Sequence, residues 1–292
     1  MRIGIVDFMN LCHINIHSKN VLIDGQLLED DLVVFSRFAR KIIFKLVDII
    51  QNYTPNYLIV ATDYGSWRKE LTINYKQNRI KVTNPKFNKK ILYLYADRLF
   101  NELNKIMPFN FIRVFNAEGD DIIYTLVKYL QEKEIYIFST DKDLLQATKF
   151  NDHIQQISLL YNKFLVSREP EYEVFKKIIR GDRSDGIPAL KKRVRENIIR
   201  KWWVNKNLFK TFLKEQGLSH HFIMNKRLID LDYIPLNISK QIIDEFEKNK
   251  KQKLTLEHYK NFVLFKNEYI LEKVDDFWDN IERWYKEVYH DL

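Results

Sequence analysis

The 292 residues carry 48 lysines and arginines against 39 aspartates and glutamates, a formal charge of +9, with 46% hydrophobic residues, 7 glycines and 6 prolines. That balance excludes a disordered chain, collagen-like or mucin-like repeats and long flexible linkers, and argues against a loop-dominated or all-β protein. One cysteine, Cys12, excludes an intramolecular disulfide and a cysteine-built zinc site, and no run approaches the roughly 18 apolar residues a bilayer crossing needs. The excess of positive charge fits an anionic partner. It does not identify one, because lysine, asparagine, isoleucine, phenylalanine and tyrosine are all favoured by A+T-rich codons.

Taken in order, Ile3-Gly4-Ile5-Val6 predicts a buried strand ending at Asp7, too short to serve as a signal peptide. Residues 29–52 place Leu32, Phe35, Phe38, Ile42, Ile43, Leu46, Ile49 and Ile50 at helical spacing behind three acids that suit a helix N-terminus. Leu58 to Ala61 predicts a second strand, ending at Asp63. Residues 111–115 predict a third, followed by Glu118 and a helix to Gln131, and Ile135 to Phe138 a fourth, ending at Asp141. Apolar strands alternating with helices predict an α/β fold with a mostly parallel central sheet covered on both faces. Between Asp63 and Met107 the pattern breaks. Residues 68–90 hold eight basic residues and one acid, with Trp67, Tyr75 and Phe87 interleaved, and read as an insert of about 64–107. Residues 191–206 hold seven basic residues against Glu196, and the remainder reads as helical. The expected division is a core over 1–185 and a helical region over 186–292.

An acid at one strand end is ordinarily a helix cap. Here Asp7, Asp63, Glu118 and Asp141 lie at the ends of successive strands, where open α/β sheets bind ligands. They are joined by Asp120, Asp121, Asp143, Asp182 and Asp185. So many converging carboxylates would repel one another unless cations neutralised them. Oxygen ligands without histidine or cysteine select Mg²⁺, with Mn²⁺ as a substitute. Two such ions can activate water and stabilise the leaving oxygen of a phosphodiester. His13 and His17, four apart, lack a third ligand and read as surface residues, and Trp202-Trp203 reads as helix packing.

The ordered motifs Asp7, Asp63, Trp67-Arg68, Tyr75-Lys76-Gln77-Asn78-Arg79, Glu118-Gly119-Asp120-Asp121, Thr140-Asp141-Lys142-Asp143 and Gly181-Asp182-Arg183-Ser184-Asp185-Gly186-Ile187-Pro188 resemble the flap endonuclease/5′-nuclease family. The resemblance covers about residues 1–245 and is strongest to the family's T-even phage branch, which has ribonuclease H activity. It implies a PIN-like nuclease core, a helical arch in the insert, and a C-terminal helical region that binds DNA. It implies that Asp7, Asp63, Glu118, Asp120 and Asp141 surround a first metal and Asp143, Asp182 and Asp185 a second, with the place of Asp121 open. Lys76 and Arg79 match the basic pair at the base of the arch, which joins Asp141 in catalysis. Trp67, Arg68, Tyr75, Lys76 and Arg79 would meet nucleic acid there, and Lys191, Lys192, Arg193 and Arg195 farther along.

The implied activity is Mg²⁺-dependent 5′→3′ exonuclease and flap endonuclease cleavage of DNA and RNA–DNA hybrids, removing primers and flaps during phage DNA replication. The implied partners are flap, nicked or forked DNA, an RNA–DNA hybrid, and a single-strand-binding protein or sliding clamp. A monomer in the cytoplasm, the host's if phage-encoded, is expected. One departure stands out: no glycine occurs from 187 to 216. The family's glycine-rich duplex-binding turn and its K⁺ site are therefore altered, with a lysine and arginine cluster in their place. The rival readings are an inactive branched-DNA binding protein and a PIN-type ribonuclease. The complete acid set argues against the first, and the insert with Gly-Asp-x-x-Asp against the second.

Overall fold

A computed structural model describes residues 1–16, 31–77, 89–250, 253–269, 271 and 274–290. Its centre is a six-stranded sheet in the order β3-β2-β1-β4-β5-β6. The strands are β1 Arg2–Asp7, β2 Tyr57–Ala61, β3 Asn110–Ile112, β4 Glu134–Phe138, β5 Ile154–Ser158 and β6 Lys163–Leu165. The first five are parallel and β6 closes the edge antiparallel to β5. Strand β1 lies between β2 and β4, so Ile3 is level with Tyr57 on one side and Ile135 on the other. Burial on both faces explains why these strands read as unbroken apolar runs.

Two apolar layers cover the sheet. On one face lie α1 (Phe8–Ile16), α2 (Leu32–Tyr53) and α3 (Lys89–Ile106), the second of them started by Asp31, whose carboxylate accepts from the Val34 N–H. On the other lies α4 (Gly119–Tyr129), with Ile238, Ile242 and Phe246 of α5 (Leu236–Asn249) packed beside it. Within the expected insert of 64–107, residues 89–106 form α3, whose Leu92, Tyr95, Leu99 and Leu103 belong to the core. The lysines that open this helix mask its amphipathic character. Residues 78–88, with Arg79 and the middle of the expected arch, lie outside the described residues, as does His17.

Beyond residue 185 the helices pack in two ways. Ile199, Trp202, Phe209 and Leu213 build a small core with Tyr172 and Phe175 of α6 (Pro170–Arg180). The final helices instead return to the sheet: Phe262, Phe265, Trp278 and Trp284 join the layer over α2 and α3, and the Trp284 indole N–H donates to the Pro55 carbonyl at 2.7 Å. Residues 186–292 are thus not one appended body, since part of them completes the core.

Candidate metal centre

The carboxyl ends of β1, β2, β3 and β4 bring the acids together. Asp7 closes β1, and its side chain accepts from the Asn10 N–H at 3.0 Å and the Ser139 hydroxyl at 2.8 Å. Ser139 Oγ also accepts from the Asp141 N–H at 3.1 Å, so β1 and β4 are tied at their ends. Asp63 accepts from the Gly119 N–H at 2.5 Å. A Cβ at Gly119 would come within 3.0 Å of Asp63 Oδ1 and 3.9 Å of Asp7 Oδ1, so a larger residue would press on the Asp63 carboxylate.

Glu118, Asp120 and Asp121 open α4 and can bring one oxygen each to within 4.8 Å of one another. Glu118 and Asp121 form a capping box, with Asp121 accepting from the Glu118 N–H at 3.0 Å. Asp121 also accepts from the Trp67 indole N–H at 3.1 Å and pairs with both terminal nitrogens of Arg68. Its Oδ2 takes these hydrogen bonds, while its buried Oδ1 accepts none and is matched by the Arg68 charge at 2.8 Å. Asp120 Oδ1 is likewise buried without a hydrogen bond and, among the described residues, has no such ion pair.

A second group adjoins the first. Asp120, Asp143, Asp182 and Asp185 line one small cavity together with Lys177. Lys177 bridges Asp143 at 2.5 Å and Asp182 at 2.7 Å. Asp182 and Asp185 sit on a tight loop closed by mutual backbone bonds between Asp182 and Ile187. Gly181 starts it with φ +68°, where an added Cβ would lie 2.4 Å from the Ile187 carbonyl oxygen. Gly181→Ala is expected to dislodge this loop, lowering metal affinity while leaving the sheet folded. Metal titration alongside circular dichroism checks this, and wild-type affinity would contradict it.

Three comparisons bear on this arrangement. The profile of the 5′-3′ exonuclease N-terminal resolvase-like domain matches residues 34–178. The chain is 27% identical over 206 residues to the Ribonuclease H of Enterobacteria phage T4, covering 64% of this chain and 67% of that protein. It is 31% identical over 155 residues to a 5′-3′ exonuclease of Mycoplasmopsis pulmonis, half of each chain. Residues 34–178 carry a domain of the flap endonuclease/5′-nuclease family. The fold of the chain is also similar to the phage T5 flap endonuclease, crystallised as a pseudo-enzyme–product complex with DNA and metal ions. That likeness has a TM-score of 0.67 at 19% identity, covering 86% of this chain and all of the other.

Within this fold, Trp67, Arg68 and Tyr75, expected to meet nucleic acid, are buried against the acids, 4%, 1% and 4% exposed. The Arg68 Nη1 donates to Glu118 at 3.0 Å, its Nε donates to the Leu228 carbonyl, and the Tyr75 hydroxyl donates to Glu118 at 2.8 Å. Burial would be prohibitive for Glu118 and Asp121 without such partners, so these side chains support the acids rather than a phosphate. Lys76 is half-buried and ion-paired with Glu118. Lys191, Lys192, Arg193 and Arg195 are exposed on the loop between α6 and the next helix, Glu196–Val204. Sequence reasoning missed Lys177; its only trace is a lysine five residues before Asp182 on a helix that points at the loop.

The acids perturb one another. Burial pushes the Asp7 carboxyl up to about 7, with the charges of Asp63 and Asp141 adding, against hydrogen bonds that lower it. Water reaches Asp63 and Asp141, yet the protein packed behind them still weakens their hydration. Asp63 rises to about 6 and Asp141 rises too, with the charges of neighbouring acids adding in each case. Asp182 moves the other way, down to about 2: burial opposes ionisation, but hydrogen bonds from Lys177 and Ser184 outweigh it.

Proposed function

We propose that the protein is a divalent-metal-dependent 5′-nuclease acting on DNA flaps, nicks and forks and on RNA–DNA hybrids, with Mg²⁺ as its usual ion. The observation that carries this reading is the carboxylate cluster itself, in which Asp120 holds a buried oxygen without a donor beside Glu118. An all-oxygen donor set suits a hard cation. Asp7, Asp63, Glu118, Asp120 and Asp141 would hold one ion, and Asp143, Asp182 and Asp185 a second. The ions, when bound, would polarise the phosphodiester and make a water nucleophilic near neutral pH.

The chain's own residues do the rest. Ser139 and Asn10 fix the Asp7 carboxylate, and Arg68 and Tyr75 hold Glu118 in place, so little reorganisation is left for the reaction. Lys76, beside Glu118, would meet a phosphate oxygen and stabilise its developing charge, with Arg79 proposed as its companion. The exposed cluster Lys191, Lys192, Arg193 and Arg195 would take duplex phosphates. Removal of RNA primers during replication of a phage genome fits this chemistry and the T4 relative. An assay of 5′-labelled flap, nicked and RNA–DNA hybrid substrates with Mg²⁺ or EDTA tests the proposal. Metal-dependent release of short 5′ products supports it; EDTA-insensitive cleavage, or none, rejects it.

A pH dependence follows. Asp7 and Asp63 titrate above the 3.8 of an ordinary aspartate. Between about pH 4 and 7 the unfolded chain ionises first, so metal-free stability falls as pH rises. Cations bind the ionised form and offset this loss. The rise in Tm on adding Mg²⁺ should therefore be larger at pH 8 than at pH 5.5. An equal rise at both would contradict the account.

A further inference from the structure

A groove of about 590 Å³ runs from the candidate metal centre toward the β6 edge of the sheet. It shares Asp143, Lys177 and Gly181 with the centre, so the two are continuous. Its apolar walls come from Leu145 on one side, Leu165 at the end of β6, and Val174 on α6. Its rim is basic: Lys142, Arg168, Lys176 and Arg180. Two of these cations are matched internally, Lys176 by Glu173 and Arg180 by Glu196. Lys142 and Arg168 are exposed and have no ion-pair partner among the described residues. The groove's own acids, Asp143 and Glu173, are already taken by Lys177 and Lys176. Its unmatched charge is therefore positive, and it opens beside a centre suited to phosphodiesters.

Resting on the nuclease reading, we propose that this groove carries one strand of the nucleic-acid substrate past the metal centre, Lys142 and Arg168 each neutralising a backbone phosphate. The charge complements a polyanion, and continuity with the centre means that a strand lying there joins the nucleotide at the acids. The apolar walls accept the sugar faces between phosphates. Arg168 lies outside the family motifs, Lys142 lies between the two acids of Thr140-Asp141-Lys142-Asp143, and both stand apart from the arch and from the 191–195 cluster.

Salt dependence tests the groove without cleavage. Binding of fluorescent single-stranded and duplex oligonucleotides to the full chain is followed by anisotropy in EDTA, from 50 to 200 mM salt. Each lost phosphate contact flattens the slope of log K against log[salt] by about 0.7 for a single strand and about 0.9 for duplex. Lys142→Ala/Arg168→Ala should therefore flatten it by about 1.4 or about 1.8, the size reporting which form the groove holds. Over that fourfold range the wild type loses about 7- to 12-fold more affinity than the double variant. Arg168→Ala, removed from the metal acids in sequence, should give half the effect, and Arg168→Lys should restore the slope. An unchanged slope with wild-type binding intact overturns the groove and leaves the nuclease reading standing. A variant that loses affinity for a polyglutamate peptide but keeps its oligonucleotide slope also overturns it, assigning the surface to an acidic peptide. If the wild type neither binds nor cleaves, the nuclease reading falls first.

Discussion

Asp141→Asn is expected to slow cleavage by about 10³-fold, the upper range for losing one preorganised electrostatic partner, while Tm at neutral pH holds or rises. Asp141 does two jobs. Its Oδ1 caps the 3₁₀ helix Lys142–Lys149 by accepting from the Asp143 N–H at 2.9 Å, and its charge faces the centre. Asparagine keeps an oxygen for the cap and removes only the charge. That charge is poorly hydrated and repelled by Asp120, which is why its carboxyl is pushed up. Deleting it relieves repulsion in the metal-free protein. Activity and stability therefore separate. Single-turnover cleavage with thermal unfolding checks this, and a variant that lost both together would point to a structural role.

Arg68→Met should do the reverse. The guanidinium is 1% exposed and holds Glu118 and Asp121 together while stacking 4.7 Å from the Trp67 ring. Its loss strands two buried carboxylates, a change that costs about 3–5 kcal/mol when one partner of a buried ion pair is removed. For a chain of this size that lowers Tm by about 5–8 °C. Arg68→Lys, which keeps charge without the planar fork, should fall between. Because Arg68 reaches no solvent, the salt dependence of nucleic-acid binding should not change in any variant that remains folded. A flatter slope would restore it as a phosphate contact.

The parallel sheet was legible because β1, β2 and β4 are buried on both faces and so appear as apolar runs, each leading to an acid. The meeting of the acids was legible because each follows a strand-like run, and parallel strands bring their carboxyl ends to one edge of the sheet. Strand β5 was not, for a physical reason: its IQQIS sequence buries Gln156, whose amide donates to the Ser139 and Asp141 carbonyls and supports the β4 end from below. Polar residues serving the site broke the apolar signal. The inward turn of Arg68 was hidden too, because its partners lie 50 and 53 residues away and its neighbourhood in sequence is a basic stretch. The same distance hid Lys177, 34 residues from Asp143. The Asp120-Asp121 doublet offered two equal candidates until the capping box turned Asp121 toward Arg68 and left Asp120 facing the acids.

Calorimetric titration of Mn²⁺ into wild type and Asp120→Asn at pH 8 tests the central claim most directly. The account predicts two ions per wild-type chain and the loss of at least one in the variant, which removes charge from the buried oxygen that lacks a donor. Absence of binding, or identical stoichiometry and affinity in both proteins, would contradict it.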